Sequence, residues 1–472
     1  MGRILRASPD KGMILKRIYM ALMGLLLLSY PYMMITYTHF TPYVIPTGIW
    51  VLRLCSAGLA IYLGRLWKDK GFLILSGYLI WIFIRVAIPD SAGLFTERFS
   101  ESLFSGIWVF SACYGMSRIL SPKEAKDFLR ICAVIWTVIM AVSSCVGIVA
   151  AWQDHRIYTW NDAAFWGIYP IRLMMPYLPT TSGALVSFSI MIALCVIACD
   201  EKKPIRILCS IAVLPMILAL SLTDSRTSFI STAVGIAALV FICFTRNNRI
   251  NIPEVTIAES SSIKQLILPV VVSVVVLVAI IFLLMYMESI FHSLRLRRGL
   301  LISRALAETA EKKAGVRGFN GGSEVLTGRY ELWVGVLKYL KKNPLVLLFG
   351  TGKADPMKGI NEILGYSMAH VHNMPLMILV ESGISGIAIF ISFVVYSFRK
   401  MMRAFHYQGG LFPIILIAVV LAITAGDLAE CFSWMACSNL PLLPFEFIVL
   451  GLVNLPLSCV SRNIVARKVY EF

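Results

Sequence analysis

Charged residues are scarce in this sequence. Asp, Glu, Lys and Arg make up 15% of the 472 residues, and hydrophobic residues make up 58%. Soluble domains carry roughly 25% charged residues and about 45–50% apolar ones. An excess of apolar residues on this scale arises when side chains face lipid as well as each other. The composition therefore excludes an ordinary soluble domain and predicts a membrane protein.

The sequence also lacks an internal repeat, a low-complexity segment and the cysteine spacing of a zinc site. Most of the 11 cysteines lie in or beside apolar runs, where a thiol packs as a small hydrophobe. Cys431 and Cys437 share a predicted outer loop and could form a disulfide there. The basic N-terminus leads into an apolar run that is too long for a signal-peptide core and has no cleavage site. We interpret this run as a first anchor with a cytoplasmic start.

The formal net charge is +17. In a soluble protein this balance would suggest a nucleic-acid partner. Here most basic residues lie in short connections between apolar runs, where the positive-inside bias explains them. We therefore expect membrane lipids as partners and no nucleic acid.

About twelve apolar stretches are long enough to cross roughly 30 Å of hydrocarbon. Every even-numbered connection is basic, which places those connections and both termini in the cytoplasm. The expected fold is an all-α polytopic membrane protein with about twelve transmembrane helices. The predicted spans are 17–37, 45–63, 71–89, 102–120, 128–152, 180–200, 205–223, 227–245, 265–287, 373–398, 411–431 and 440–460.

Two long connections fall on the outer face and divide the chain. Residues 1–287 hold spans one to nine, 288–372 form a large basic loop, and 373–472 hold spans ten to twelve. A shorter external loop at 153–179 is rich in aromatics, which suit a membrane interface and would also suit sugar stacking; we favour the interface. The cations of the large loop suit an anionic partner such as a lipid headgroup or a diphosphate.

The first candidate site is the turn Thr223–Ser228. Two apolar runs flank this turn so closely that it is very short. Arg226 is therefore expected at the membrane rim, where a charge is costly and usually functional. Asp224 or Ser225 can cap the helix that follows, and a helix N-terminus suits a phosphate. The alternative is an Asp224–Arg226 pair that only stabilises the turn, and we favour the phosphate site.

The second candidate site surrounds Arg329 in the large loop. Arg329 heads a predicted amphipathic helix in which Trp333 and Leu337 follow at four-residue spacing. The helix is expected to end near Lys342–Pro344, and a short apolar run then leads to the glycine turn Phe349–Gly352. One arginine on a surface helix is ordinary by itself, so this site depends on its neighbours.

The third candidate site lies where the large loop enters span ten. Asn373 is expected to cap a helix, and Pro375 fits its first turn. The positive helix end favours a neutral His372, which can then accept a proton. His370 and His372 could also bind a metal, but no carboxylate or cysteine completes a ligand set. We therefore expect no metal; an interfacial histidine without a role is the simpler alternative.

The predicted topology places these three sites together at the outer face. Two guanidinium groups would bind phosphate oxygens and offset the charge of a departing diphosphate, while a neutral histidine would remove the proton of an attacking hydroxyl. Such a reaction needs no metal or other cofactor in principle. Asp427 and Glu430, near the outer end of span eleven, are further intramembrane acids, and Asp427 is the candidate partner for a histidine or arginine.

These residues resemble the O-antigen ligase and O-antigen polymerase superfamily of bacterial membrane glycosyltransferases. The turn Ser225–Thr227 looks like the first motif of that family. Arg329, with the tryptophan, proline and glycine turn that follow it, looks like the loop motif. His372–Asn373, nine residues and then Gly383–Gly386 resemble the ligase pattern of His-Asn, nine residues and Gly-x-x-Gly. The resemblance covers about residues 221–390 of the chain.

The resemblance implies an undecaprenyl-diphosphate-linked glycan donor, a glycan or lipid acceptor, and a place in the bacterial cytoplasmic (inner) membrane. It suggests Arg226 and Arg329 as diphosphate ligands and His372 as the base, in a transfer that needs neither metal nor nucleotide. Asn373 and Asp427 would support the site, and the role of His370 stays open. By their size alone, the two glycines of the last motif indicate a packing face that lets another helix approach.

Two questions remain open at this stage. Ligases and polymerases share these motifs, so the sequence does not decide between them. A transporter or a flippase of polysaccharide precursors is the non-enzyme alternative, because many spans with cytoplasmic ends also suit secondary carriers. The long loop is external here, however, and no pair of interrupted helices in matching halves is evident. A flippase would also need cations in a central cavity.

Overall fold

The computed structural model of the chain describes most of the predicted spans and part of each long connection. Asp224, Cys437 and residues 303–328 of the large loop lie outside the described residues, so the predicted roles of Asp224 and of a Cys431–Cys437 disulfide stay untested. The described residues are 9–36, 45–88, 97–152, 159–161, 171–173, 179–223, 225–247, 260–302, 329–352, 355–365, 368, 370–407, 411–431 and 442–453.

Within the described residues, each apolar stretch predicted to span the membrane contains a helix. A π-helical turn, Val109–Cys113, joins α4 to α5 and keeps the fourth stretch helical throughout. The helices are α1 (Pro9–Thr36), α2 (Ile45–Gly64), α3 (Lys70–Ala87), α4 (Glu97–Trp108), α5 (Tyr114–Ile119), α6 (Pro122–Trp152), α7 (Pro179–Cys199), α8 (Lys203–Leu222), α9 (Arg226–Asn247), α10 (Ser260–Ile302), α11 (Arg329–Lys342), α12 (Pro344–Phe349), α13 (Lys358–Leu364), α14 (Met374–Tyr407), α15 (Leu411–Asp427) and α16 (Leu442–Val453).

Eight of the described helices are long and apolar enough to cross a membrane, which makes the chain a multi-pass membrane protein. Three shorter apolar helices, Gly48–Gly64, Ile415–Asp427 and Leu442–Val453, coincide with further predicted spans. The total of about twelve crossings remains a prediction from segment length. One element is longer than expected, because α10 continues to Ile302, past the predicted end of its span at 287.

A small hairpin lies within the segment 153–179, which the sequence predicts to be external. Strands β1 (Thr159–Asn161) and β2 (Ile171–Leu173) pair in antiparallel register, with Trp160 opposite Arg172. The segment therefore has regular structure of its own beside the interface aromatics that the sequence suggested.

Helix α9 lies at the centre of the bundle, packed against α7, α10 and α15. Buried hydroxyl groups form hydrogen bonds between α9 and two neighbouring helices. Ser231 Oγ donates to the carbonyl of Ala422 at 2.6 Å, and Thr232 Oγ1 donates to Ser187 Oγ at 2.7 Å. Interhelical hydroxyl bonds of this kind are typical of membrane helix packing. They hold the rim turn at the start of α9 against fixed neighbours.

Helix α14 is broken at Gly383, where φ is 67°. A Cβ at Gly383 would lie 2.4 Å from the backbone nitrogen of Gly350, whose own φ is 83°. The amide of Thr351 donates to the carbonyl of Val380 at 2.9 Å, so the two segments meet backbone to backbone. The predicted close approach at this glycine motif is confirmed, and the positive φ gives a second reason for glycine there.

Helix α3 ties the same segments together from the other side. Arg85 Nε donates to the carbonyl of Phe349 at 2.8 Å, and Trp81 Nε1 donates to the carbonyl of Ser382 at 2.9 Å. The carbonyls freed by the break in α14 and by the end of α12 are thereby satisfied, as buried backbone groups must be in a membrane protein. The large loop is consequently anchored to the membrane helices at this point.

Replacing Gly383 with alanine is expected to destabilise the protein. The new Cβ would collide with the backbone of Gly350, and a left-handed conformation costs a non-glycine residue about 1–3 kcal/mol. Thermal unfolding in detergent should show a clear fall in melting temperature. Gly77→Ala in α3 is the matched control, because a Cβ there meets nothing within 4 Å. Equal melting temperatures for the two variants would contradict this account of the break.

Candidate active site

The centre of the site is the carboxylate of Glu430, which is only 3% exposed. Its Oε2 lies 2.7 Å from His372 Nδ1, and its Oε1 lies 2.5 Å from a terminal nitrogen of Arg329. The side chains of Arg329 and His372 are 18% and 26% exposed, so both are partly accessible while their common partner is buried. One carboxylate thus joins the two most important predicted residues, which are 43 positions apart in the sequence.

Arg329 reaches this position because helix α11 is anchored one turn later. Trp333 Nε1 donates to the carbonyl of Val371 at 2.9 Å, next to His372. The predicted helix is confirmed, including its end at Lys342. Its buried face differs from the expected one, because Leu337 is 57% exposed. The buried residues Leu332, Gly335, Val336 and Leu340 recur at the three- and four-residue spacing of one helix face.

His372 sits in a strained backbone position just before α14. Its φ is 51°, a left-handed value that is uncommon outside glycine. Asn373 caps the helix as predicted, since its Oδ1 accepts the amide N–H of Leu376 at 2.9 Å. The Nδ2 of the same side chain donates to the carbonyl of Leu428 at 2.8 Å. Asn373 therefore links the histidine segment to the turn that carries Glu430.

The rim turn joins the site through Thr227. Its Oγ1 lies 3.4 Å from the second terminal nitrogen of Arg329. Ser225 and Ser228 form a hydroxyl pair at 2.7 Å, and Gly183 of α7 leaves them room, because a Cβ there would lie 2.7 Å from Ser225 Cβ. Arg226 is partly buried at the first position of α9. This contact between two side chains brings the first and second motifs together.

His370 lies beside His372, with ring centroids 4.3 Å apart and ring planes tilted by 57°. Its Nδ1 accepts the backbone N–H of His372 at 3.3 Å, which helps to hold the strained residue. The sequence left the role of His370 open, and this contact places it next to His372.

The acid that meets the histidine and the arginine is Glu430. Sequence reasoning noted Glu430 only as a further intramembrane acid and named Asp427 as the candidate partner. Asp427 is buried at the end of α15, where it lines a cavity beside α14. Its supporting role stays a prediction. No sequence signal separated the two acids, because the predicted span 411–431 contains both.

The surroundings of Glu430 determine its charge. The guanidinium of Arg329 on one oxygen and the imidazole of His372 on the other favour the ionised carboxylate. An ionised carboxylate can only accept hydrogen bonds. A neutral His372 that donates from Nδ1 to Glu430 keeps a lone pair on Nε2, which can accept a proton.

The same cluster has the donor set of a metal site. Donor atoms of His370, His372 and Glu430 lie within 4.8 Å of one another. The prediction that no carboxylate completes the ligand set is therefore wrong, because Glu430 supplies one. Both oxygens of that carboxylate already accept hydrogen bonds, one of them from the cation Arg329. A bound cation would have to displace or repel the guanidinium of Arg329. The geometry therefore suits the His372–Glu430 hydrogen bond and the Arg329–Glu430 ion pair better than a metal.

The comparisons with known proteins agree with these motifs. Residues 211–391 match the family model described as O-antigen ligase, and the match includes Arg226, Arg329 and His372. The match ends before Glu430. A search of curated proteins found no match to the chain. These findings favour the glycosyltransferase interpretation over the transporter.

Proposed function

We propose that this chain, in which residues 211–391 match the O-antigen ligase family model, transfers a glycan from undecaprenyl diphosphate to an acceptor hydroxyl. The reaction takes place on the outer face of the cytoplasmic membrane, with both termini of the chain in the cytoplasm. The observation that carries this proposal is the buried carboxylate of Glu430, which holds Arg329 on one oxygen and His372 on the other.

His372 acts as the general base in this proposal. Its Nε2 removes the proton of the acceptor hydroxyl while the hydroxyl oxygen attacks the anomeric carbon of the first sugar of the donor. The bond from that carbon to the diphosphate oxygen breaks, and its electron pair leaves with the diphosphate. Glu430 is a positioning residue, because its hydrogen bond fixes the tautomer of His372 and its charge stabilises the imidazolium that forms.

Arg329 and Arg226 bind the diphosphate. A guanidinium carries five N–H donors, so the contacts of Arg329 with Glu430 and Thr227 leave donors for phosphate oxygens. Arg226 stands beside Thr227 at the N-terminus of α9, where the helix end adds partial positive charge. Both cations offset the negative charge that grows on the leaving diphosphate, an effect that is strongest where water is excluded.

The transfer needs no metal ion in this mechanism. The guanidinium groups supply the charge that a divalent cation would otherwise supply, and the histidine supplies the base. The carboxylate that would complete a metal site already accepts hydrogen bonds from Arg329 and His372. Transfer is therefore expected to continue in the presence of a chelator.

The direct test uses purified protein in lipid vesicles with a labelled undecaprenyl-diphosphate glycan and an added chelator. The expected result is loss of label from the carrier lipid and its appearance on an acceptor. A ladder of chain lengths would identify a polymerase, and movement of intact chains onto a different acceptor would identify a ligase. Transport of the donor across the vesicle without any new glycosidic bond would overturn the proposal.

A further inference from the structure

A second cavity lies at the end of the bundle that the topology predicts to be cytoplasmic. It is lined by the first turns of α6, at Lys126 and Arg130, and by the end of α7 with the turn that follows, at Cys199 and Lys202. The cavity encloses about 200 Å³. None of the described residues of the three candidate sites lines it, so the candidate active site does not account for it.

The exposed end of this cavity carries charges of both signs that cancel formally. Its charged lining residues are Lys126, Arg130, Lys202, Asp127, Asp200 and Glu201. Asp200 is buried and accepts a hydrogen bond from Arg130 Nε, so these two charges already satisfy each other. Lys126 Nζ lies 3.8 Å from a carboxylate oxygen of Glu201, whose side chain is 92% exposed. A pair this open to water contributes little to stability, so a ligand can separate it at small cost.

The interior of the cavity is apolar. Its walls include Leu129 of α6, Val196 of α7, Leu416 of α15 and Phe445 of α16, all of which are buried. Phe445 also packs against Phe188 in the core, with ring centroids 5.1 Å apart. The cavity therefore runs from charged groups at the surface to hydrocarbon side chains inside the bundle, which is the polarity of a phospholipid from its headgroup to its acyl chain.

We propose that this cavity binds a phospholipid whose headgroup carries a phosphate and a primary amine, as in phosphatidylethanolamine. Basic pockets between transmembrane helices on the cytoplasmic side bind the phosphate headgroups of lipids. Lys126 and Lys202 bind the phosphate, and Asp127 and Glu201 accept hydrogen bonds from the ammonium group. Only the start of one acyl chain enters the apolar interior, because 200 Å³ is less than the roughly 300–1,000 Å³ of pockets that enclose a whole ligand.

The two signs of charge distinguish between possible headgroups. Phosphatidylglycerol has no cation, so its phosphate would face Asp127 and Glu201 without compensation. Phosphatidylcholine has a cation without an N–H donor, so the two carboxylates would lose their hydrogen bonds. Soluble phosphoethanolamine matches the charges but leaves the apolar walls without a partner. The combination of both charges with an apolar interior therefore selects the amine-bearing lipid.

The test measures lipid binding to the full-length, delipidated protein by native mass spectrometry in detergent. Phosphatidylethanolamine is expected to bind on the order of ten-fold more tightly than phosphatidylcholine, because only its ammonium group donates charge-assisted hydrogen bonds. Combining Asp127→Asn with Glu201→Gln should remove most of this preference, since neutral amides no longer attract the ammonium group. Melting temperatures measured alongside show that the variants are folded.

Two lysines of the same helix allow a matched comparison. Lys126 lines the cavity, whereas Lys123, one turn earlier in α6, lies outside the lining. Lys126→Gln is expected to weaken phosphatidylethanolamine binding on the order of ten-fold, because it removes a cation that binds the phosphate. Lys123→Gln should leave the binding unchanged.

Three results would overturn this inference. Equal binding to Lys126→Gln and Lys123→Gln would mean that the lipid binds elsewhere. Binding of phosphatidylglycerol as tight as that of phosphatidylethanolamine would mean that the acids do not select the headgroup. Binding of soluble phosphoethanolamine as tight as that of the lipid would mean that the apolar walls play no part. None of these measurements uses glycan transfer, so the inference and the proposed function are tested independently.

Discussion

Replacing His372 with alanine is expected to lower the rate of glycan transfer by about 10²–10⁴-fold, the usual contribution of a general base. Without the imidazole, no group with a free lone pair at this position removes the acceptor proton. The side chain is partly exposed and its removal leaves Glu430 paired with Arg329, so the protein should still fold. The measurement is kcat in the vesicle transfer assay, with the amount of protein in the membrane as the accompanying readout.

His406→Ala is the matched control for this substitution. His406 lies near the far end of the same helix, α14, and belongs to none of the three candidate sites. The His406→Ala variant should transfer glycan at the rate of the unmodified protein. If His372→Ala also kept full transfer activity at an equal protein level, His372 would not be the base and the proposed mechanism would be wrong.

Loss of Arg329 is expected to affect both transfer and stability. Arg329→Ala removes a diphosphate ligand and also leaves the buried carboxylate of Glu430 without its cation. Breaking a buried ion pair from one side typically costs about 3–5 kcal/mol. We therefore expect a large fall in melting temperature together with loss of at least about 10²-fold in kcat/KM, as found when a preorganised charge-stabilising donor is removed.

A second variant separates the two effects. In Arg329→Ala combined with Glu430→Gln, the uncompensated buried charge is gone, so most of the lost thermal stability should return. Transfer by the double variant should be lower than that of Glu430→Gln alone, because the diphosphate ligand is also missing. Transfer equal to that of Glu430→Gln alone would mean that Arg329 only stabilises the structure. Arg329→Lys tests whether the planar guanidinium itself is needed. Its transfer activity should remain impaired, since an ammonium binds phosphate as a point charge.

Local sequence patterns predicted the parts of this protein that depend on neighbouring residues. The helical spans follow from runs of apolar residues, and the cap at Asn373 follows from an amide side chain before a proline-containing turn. The loop helix of Arg329 and its end at Lys342 follow from the lysine pair and the proline behind it. The glycine motif at Gly383 indicated a close approach, because only glycine leaves such space.

The remaining features depend on contacts between distant segments. Glu430 is 58 residues from His372 and 101 residues from Arg329. The sequence offers Asp427, three residues earlier, as an equally plausible partner. Which acid meets the base is decided by where α15 ends and how the following turn is directed. The sequence likewise did not show that Leu337 is exposed, since the packing of α11 against its neighbours determines which face is buried.

The central claim is that Glu430 acts through His372 as one catalytic unit. The measurement is kcat for His372→Ala, Glu430→Gln and the double variant in the vesicle assay, with melting temperatures measured alongside. Groups that act as a unit lose catalysis non-additively, so the double variant should be no slower than His372→Ala alone. If the kcat losses of the two single variants instead multiply in the double variant, the carboxylate and the imidazole act independently. The claim that Glu430 acts through His372 would then be wrong.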